Sequence, residues 1–284
     1  MSRFLLMLRH GFLVAPACVF IFSGCAEMKY YYGHVPEIAP GFLAGYLEAE
    51  SLPNSLSLVN PPPETRSHAF ELDLTIYGAS KGFRGTPRWK QAVKDTNLAF
   101  PGAAYAFSCA LNAPISEQET PHLYMLMRRA MTDAVLSTRS VKEFYKRPPP
   151  FVFSMDPTCT PDDEKPLSEI SSYPSKHACI GWTWALILAE LAPERADMIL
   201  ERGRSFAESR VVCGTHWQSD IDAGFIIGAG VVARLLADSE FREDFNAARI
   251  EMASVRANGL FPQHDCNMEK AALSLKLHPS RHNR

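Results

Sequence analysis

The sequence lacks most of the features that mark membrane-spanning, nucleic-acid-binding or zinc-binding proteins. After the N-terminal segment it has no uninterrupted apolar run of about 18 residues, so we expect no internal membrane span. Its 29 basic and 31 acidic side chains leave a net charge of −2, which gives no electrostatic basis for nucleic-acid binding. The seven cysteines include no C-x-x-C pair, which argues against a cysteine zinc site.

Strand patterns and internal repeats are also missing. The longest alternation of apolar and polar residues runs only from Phe70 to Tyr77, whereas helical spacing dominates from about Ser67 onward. We therefore predict an all-α fold, a compact single-domain helical bundle. The 284 residues and the 46% hydrophobic content are sufficient for its core.

The first 25 residues are typical of an export signal. Arg3 and Arg9 lie around the start, and an apolar run over residues 12–22 ends in Ser23-Gly24-Cys25. A basic start, a short apolar stretch and small residues before a break indicate a secretory signal peptide. Residues 22–25 are also similar to a bacterial lipoprotein cleavage box, with Phe22 where leucine is usual. We expect a periplasmic protein, and the sequence leaves open whether it is anchored to the membrane through a lipidated Cys25.

Three regions follow the signal. Residues 26–65 form an extended arm rich in tyrosine, proline and turn residues, residues 66–257 form the helical domain, and residues 258–284 form a poorly ordered tail. Removal of the signal leaves five cysteines, of which one pair is available for a disulfide that the spacing does not identify. Cys213 lies among valines, and we interpret it as a packing residue.

Helix starts in the domain are signalled by a capping residue followed by proline or by helical spacing. Thr120-Pro121 opens a long apolar pattern that continues to about Tyr145, where three prolines stop it. Small residues in the helix after Asp220 predict close contact with another helix. The other predicted helices begin at Pro87, near Phe100, at Lys176, at Pro193, near His216 and at Ser239.

The segment from Ser209 to Asp220 carries the clearest chemistry. If Thr215 caps a helix that begins near His216, then His216 and Asp220 lie one turn apart on the same face. A histidine whose second ring nitrogen is held by a carboxylate is suited to act as a nucleophile or a base. The cation of Arg210 in the same segment indicates an anionic substrate, with phosphate as the leading candidate.

Two further segments provide groups for phosphoryl transfer. Ser175 and the amides that follow it at a helix start form a site for an anion. His177, in the first turn, is placed to protonate a leaving oxygen while His216 attacks the phosphorus from the opposite side. Lys142 and Arg210 would neutralise the equatorial oxygens of the transferring group.

These segments resemble the signature of the bacterial class A non-specific acid phosphatases. That family belongs to the wider superfamily of type 2 phosphatidic acid phosphatases and vanadium haloperoxidases, and its signature is K-x6-R-P, then P-S-G-H, then S-R-x5-H-x3-D. The third element is complete here, from Ser209-Arg210 through His216 to Asp220. The resemblance extends over about residues 60–255 and includes R-G-T-P-R-W at 84–89 and C-G-T-H-W-Q-S-D at 213–220.

The resemblance implies a helical fold of the acid phosphatase and haloperoxidase type. It also implies phosphomonoester hydrolysis through a phosphohistidine intermediate, without a metal or another cofactor. The expected partner is a small-molecule phosphomonoester, with assembly into a homo-oligomer left open. By motif position the nucleophile is His216, its orienting partner is Asp220, the general acid is His177, and the phosphate-binding residues are Lys142, Ser175 and Arg210.

Two positions depart from the signature. Six residues on from Lys142 stands Pro149 in place of arginine, and Lys176 replaces glycine in the second element. In one hypothesis Lys176 binds phosphate and replaces the missing positive charge, although it lacks the planar fork of arginine. Arg147 is a further source of charge if the proline-rich bend lets it reach the site. In the other hypothesis the protein is a phosphate-binding pseudoenzyme. A vanadium-dependent haloperoxidase is a third function, against which the class A flanking sequences argue.

Overall fold

The computed structural model describes residues 35–277 as a helical protein, which confirms the all-α prediction. Strands β1 (Glu37–Ala39) and β2 (Phe42–Leu43) form one small antiparallel hairpin that pairs Ala39 with Phe42. The α-helices in the described part are α1 (Ser55–Leu58), α2 (His68–Ser80), α3 (Pro87–Lys94), α4 (Ser108–Leu111), α5 (Pro121–Ser137), α6 (Arg139–Tyr145), α7 (Pro150–Ser154), α8 (Glu164–Ser168), α9 (Lys176–Leu191), α10 (Ala196–Val212), α11 (Gln218–Leu235), α12 (Ser239–Ala257) and α13 (Cys266–Leu273). The signal peptide and the first part of the arm lie outside the described residues.

Side-chain caps fix several of the predicted helix starts. In each case a hydroxyl or carboxylate accepts a hydrogen bond from the backbone N–H three residues further on, which stabilises a helix by roughly 1 kcal/mol. These caps are Thr86 at α3, Ser175 at α9 and Asp238 at α12. The starts predicted at Pro87, Lys176 and Ser239 are therefore confirmed.

The short alternating stretch from Phe70 to Tyr77 is part of helix α2. Ser67 caps it by accepting a hydrogen bond from the N–H of Phe70. The buried residues Phe70, Asp73 and Tyr77 follow at intervals of three and four, which is the spacing of one helix face. The alternation is coincidental, and α2 presents a carboxylate to the protein interior.

Close packing of α11 against α9 sets the position of the site. A Cβ atom added to Gly224 would lie 2.8 Å from the carbonyl oxygen of Ser175, and one added to Gly228 would lie 2.8 Å from that of Cys179. Only glycine permits this approach, as the small residues in the sequence predict. The contact brings the start of α11 beside the start of α9, where the Ser175 N–H donates to the backbone carbonyl of Asp220 at 2.9 Å.

Two disulfides in the described part correct the sequence interpretation of the cysteines. Cys159 is bonded to Cys213, which is therefore a cross-link and not simply a packing residue. Cys109 is bonded to Cys266, and Cys179 is a buried free thiol. The spacing gave no sign of either pairing because each joins segments that only the tertiary fold brings together.

The C-terminal region also differs from the prediction of a poorly ordered tail after Asn258. Helix α13 lies within it, capped by Asp265 and tied to α4 by the Cys109–Cys266 bond. Arg202 adds an ion pair to Glu269 at 3.4 Å. The order of this helix depends on long-range attachments, which a local sequence pattern does not reveal.

A buried carboxylate anchors the N-terminal arm to the domain. Asp133 on α5 accepts hydrogen bonds from the N–H groups of Tyr46 and Leu47, at 2.9 and 3.1 Å. Burial nevertheless raises the pKa of Asp133 to about 7, because the loss of solvation outweighs the two backbone donors. Between about pH 4 and pH 7, the Asp133 carboxyl therefore keeps a proton in the native state that it has released in the unfolded chain.

We expect this proton to make the stability difference between wild type and Asp133→Asn depend on pH. The raised pKa contributes stability that is complete below about pH 4 and is lost as the pH rises through about 7. From pH 5 to 7.5 the wild type should lose about 2 kcal/mol relative to the variant. Urea unfolding at both pH values measures this, with the exposed Asp197→Asn as the control, and an equal difference at both values would contradict it.

Candidate active site

His216 lies in a turn between two helices, not inside a helix as the sequence predicted. Helix α11 begins at Gln218, so Thr215 does not cap it. Instead the Thr215 hydroxyl and N–H both donate to the backbone carbonyl of Arg210 at 3.1 Å, and Gly214 adopts a φ of +81°. This positive φ favours glycine and folds the chain back over the end of α10.

Asp220, in the first turn of α11, contacts the His216 ring and orients it. One carboxylate oxygen lies 3.4 Å from Nδ1 of His216 and accepts the N–H of Trp217 at 2.8 Å. The Nδ1 contact is at the outer limit of a hydrogen bond and is a directed electrostatic contact at this geometry. It leaves Nε2 as the nitrogen available for attack.

Arg147 completes the support of Asp220 and was not assigned this role from the sequence. Its guanidinium donates to Asp220 at 2.6 Å and to Asp73 at 2.8 Å, and all three side chains are buried. Asp73 in turn accepts the N–H and the hydroxyl of Ser219 at 2.9 and 2.6 Å. Since both carboxylates hold it, Arg147 does not act as the replacement phosphate ligand considered above.

Asp73 is a residue that sequence reasoning missed entirely. Its only signal is a carboxylate on the buried face of α2, between Phe70 and Tyr77. The network it completes is also enclosed by aromatic rings, since the Arg147 guanidinium lies 5.4 Å from the ring centre of Trp217. Recognition of this role requires the contact with Arg147, which is 74 residues away.

Arg210 is a buried cation that lacks hydrogen-bond partners. It is 2% exposed, and its Nε and Nη1 atoms have no partner among residues 35–277. Burial lowers the pKa of Arg210 to about 10, although Asp163 and Asp95 act in the opposite direction. An unpaired buried guanidinium is costly, so this site is built for an anion that accepts hydrogen bonds from it.

Lys142 and Lys176 lie close enough to Arg210 for their charges to interact with its guanidinium. Burial lowers the pKa of Lys142 to about 8; Asp220 opposes this, while Lys176 and Arg210 lower the pKa further. Burial and Arg210 also lower the pKa of Lys176. The Lys142 ammonium is held by the backbone carbonyl of Ser171 at 2.6 Å. The structure thus gathers three cations around one small region.

The first turn of α9 contributes Ser175 and His177. The four N–H groups at a helix start have no partners within the helix, and together with the helix dipole they favour an anion. Ser175 is fully buried at the N-cap. The Ser175–Asp220 backbone hydrogen bond described above places this helix start beside the first turn of α11.

His177 is held in one tautomer by a backbone carbonyl. Its Nε2 atom lies 3.1 Å from the Thr96 oxygen and must carry the hydrogen, since a carbonyl only accepts. Burial, followed by the charges of Arg210 and Lys176, holds the pKa of His177 well below its ordinary value. The other ring nitrogen, Nδ1, is then the one that can accept and release a proton.

Pro149 takes the place of a charged residue at the edge of this cluster. It is buried at the N-cap of α7, immediately before Pro150. Its ring offers neither charge nor an N–H donor. Lys142, Lys176 and Arg210 form no ion pair with a carboxylate between residues 35 and 277, so their charges are available for the predicted anion site.

A comparison with protein families covers the segment that contains Lys142, Ser175, His177, Arg210, His216 and Asp220. Residues 121–243 match the family model of the PAP2 superfamily. The non-specific acid phosphatase of Providencia stuartii is 43% identical over 212 residues, which are 74% of this chain and 86% of that protein. The non-specific acid phosphatase of Salmonella typhimurium is 36% identical over 223 residues, 75% of this chain and 89% of that protein. The acid phosphatase of Zymomonas mobilis is 37% identical over 213 residues, 75% of this chain and 81% of that protein.

Proposed function

Because this chain belongs to the class A non-specific acid phosphatases of the PAP2 superfamily and is an acid phosphatase, we propose that it hydrolyses phosphomonoesters through a phosphohistidine at His216. The observation that carries the proposal is the buried guanidinium of Arg210, which has two unpartnered nitrogen atoms beside a histidine oriented by Asp220. The guanidinium binds the phosphoryl group, and the histidine attacks it.

In the first step Nε2 of His216 attacks phosphorus and forms a P–N bond as the P–O bond to the leaving group breaks. The leaving oxygen takes the proton from Nδ1 of His177, so an alcohol departs. In the second step water attacks phosphorus, His177 takes a proton from that water, and the P–N bond breaks. Phosphate leaves, and both histidines return to their initial states.

Side-chain cations supply the electrostatic stabilisation in this scheme, and we propose that no metal takes part. Lys142, Lys176 and Arg210 neutralise the equatorial oxygens, whose charge is the main target of catalysis in phosphoryl transfer. The donor set does not suit a metal ion, because the carboxylate beside His216, Asp220, is already engaged by Arg147 and by the N–H of Trp217. The three-residue His/Cys cluster that the described part contains lies elsewhere.

The pKa shifts of the two histidines are consistent with catalysis at acidic pH. Burial lowers the pKa of His216 to about 4, so this ring is neutral and nucleophilic at pH 5. His177 must be protonated to act as an acid, yet burial first, and then the charges of Arg210 and Lys176, lower its pKa in the free enzyme. A bound phosphate anion offsets the charges of those cations. We therefore propose that substrate binding raises the pKa of His177, so that its ring becomes protonated and can act as the acid.

Lys176 is the residue we propose to compensate for Pro149. We expect Lys176→Met to lower kcat/KM for p-nitrophenyl phosphate at pH 5 by about 10- to 100-fold, since a cation on the transferring group is lost. The alkaline limb of the pH profile should move to higher pH, because Lys176 lowers the pKa of both Lys142 and His177. The exposed Lys165→Met is the matched control, and an unaltered profile in the Lys176 variant would exclude its participation.

The pseudoenzyme remains the second candidate because Pro149 removes a phosphate-binding charge. The two functions separate in one experiment, which compares wild type with the Pro149→Arg, Lys176→Gly double variant. Our proposal expects phosphate release by the wild type. Phosphate or vanadate binding without turnover in the wild type, and turnover only in the double variant, would favour the pseudoenzyme.

We also propose export to the periplasm. The disulfides Cys109–Cys266 and Cys159–Cys213 support it, since such bonds persist in oxidising compartments. The signal peptide and a lipid anchor at Cys25 are proposals from residues outside the described part. Between residues 35 and 277, no helix has both the length and the apolar character needed to cross a membrane.

A further inference from the structure

A second cluster of reactive side chains lies where α13 meets the body of the protein. The Nε2 atom of His264 is 3.1 Å from Sγ of Cys109, and the ligand atoms of Cys109, His264 and Cys266 all lie within 4.8 Å of one another. All three residues are partly buried. In the oxidised protein the two sulfurs form a disulfide.

We propose that Cys109, Cys266 and His264 bind a zinc ion when this disulfide is reduced. Two thiolates and one imidazole are ligands that zinc prefers, and His264-x-Cys266 supplies two of them from one short segment. The oxidised and zinc-bound forms are then alternative states of the same cross-link. This site is separate from the phosphate site and does not depend on the proposed catalytic mechanism.

The geometry requires little rearrangement. In a tetrahedral zinc site with ordinary bond lengths, a sulfur and a nitrogen ligand lie about 3.6 Å apart and two sulfurs about 3.8 Å apart. The Cys109–His264 separation of 3.1 Å is already close to the first value. The sulfurs must separate from a covalent bond by about 2 Å, a shift that side-chain rotation provides.

The surroundings favour the ligand forms of these groups. Cys266 is the first residue of α13, where the helix dipole stabilises a thiolate. The Asp265 carboxylate caps α13 by accepting hydrogen bonds from the N–H groups of Asn267 and Met268, at 2.9 and 3.2 Å, so water takes the fourth position. A cavity of about 580 Å³, which His264 lines, admits that water.

The chemistry balances with a phosphine as reductant. The phosphine gives two electrons to the disulfide and is oxidised to the phosphine oxide with oxygen from water, and the two protons of that water convert the two sulfurs to thiols. Zinc binding then releases both protons as the thiolates coordinate. The consequence is that α13 stays attached to α4 in the reduced protein when zinc is present.

Cobalt titration of the phosphine-reduced full chain tests this site. To remove the other cross-link, the titration is made in a Cys159→Ser, Cys213→Ser background. We expect one equivalent of Co²⁺ with a sulfur-to-cobalt charge-transfer band, displaced by Zn²⁺, and no band before reduction. Cys109→Ser should abolish the band, His264→Ala should weaken binding by about 100-fold or more, and the exposed His68→Ala should change nothing.

Hydrogen exchange keeps the proposal testable if reduction loosens the fold. Zinc should restore the protection of residues 266–273 in the reduced protein, and it should fail to do so in His264→Ala. Equal binding by wild type and His264→Ala, or no thiolate band after reduction, would overturn the proposal.

Discussion

Replacement of Arg147 by methionine should lower the free energy of unfolding by about 3–5 kcal/mol. The change leaves the carboxylates of Asp73 and Asp220 buried without their cation, at 3% and 0% side-chain exposure. Removal of one partner of a buried ion pair costs this much because the remaining charge keeps its desolvation penalty. Urea unfolding at pH 7, where both carboxylates of the unfolded chain are ionised, measures the loss.

The same variant should also lose activity, because Asp220 no longer holds His216 in place. We expect kcat for p-nitrophenyl phosphate to fall by about 100-fold or more while phosphate affinity changes less. Adding Asp73→Asn removes one uncompensated charge, so it should recover part of the stability and none of the kcat.

The matched control is Arg84→Met, whose guanidinium is partly exposed and 3.8 Å from Asp156. An exposed pair of this kind is worth less than about 1 kcal/mol. If Arg147→Met were no less stable than this control, the Asp73–Arg147–Asp220 network would not be the support of the site.

Replacement of His216 by alanine should abolish hydrolysis of p-nitrophenyl phosphate at pH 5. The loss of a nucleophile removes the covalent route entirely, and losses of about 10⁴-fold or more are typical of such residues. Binding of phosphate or vanadate should persist more weakly, because Lys142, Lys176 and Arg210 are unchanged. Measured turnover and anion binding in the same preparation separate lost chemistry from lost folding.

The exposed His68→Ala is the control for this variant, since the His68 ring lies on the surface and contacts Glu71 there. It should keep wild-type rates. Turnover of the His216 variant within tenfold of the control would rule out His216 as the nucleophile.

Features that depend on local sequence were predictable. Helix starts at Pro87, Lys176 and Ser239 follow from caps that act over three residues. Close approach of α11 to α9 follows from the absence of side chains at Gly224 and Gly228. The resemblance then predicted the site residues, of which Ser175 and His177 lie at the start of α9 and Asp220 lies in the first turn of α11.

Features that depend on distant contacts were not predictable. Asp73 becomes part of the site only because Arg147 crosses to it from another segment. His216 keeps its relation to Asp220 through a turn over α10, and no helical spacing is involved. Helix α13 is ordered by a bond between Cys109 and Cys266 over a separation of 157 residues. In each case the sequence around the residue does not show the contact that determines its position.

The roles of Pro149 and Lys176 bear on rate more than on the type of chemistry. The segment that carries His216, the proposed nucleophile, is intact, and the carboxylate of Asp220 contacts its ring. The anion site keeps Arg210 with unpaired donors, so it still has groups that only an anion satisfies. We therefore expect an active phosphatase that binds phosphate through Lys142, Lys176 and Arg210.

Trapping of the phosphorylated enzyme tests the central claim most directly. His177→Ala should accumulate the intermediate with p-nitrophenyl phosphate, because this leaving group departs without a proton while the second step still lacks its base. After a quench in alkali, which preserves phosphohistidine, we expect radiolabelled phosphate on the peptide that contains His216, and we expect the label to be lost in acid and absent from His216→Ala. Label on a different residue, or turnover with no labelled enzyme at any time, would contradict the mechanism.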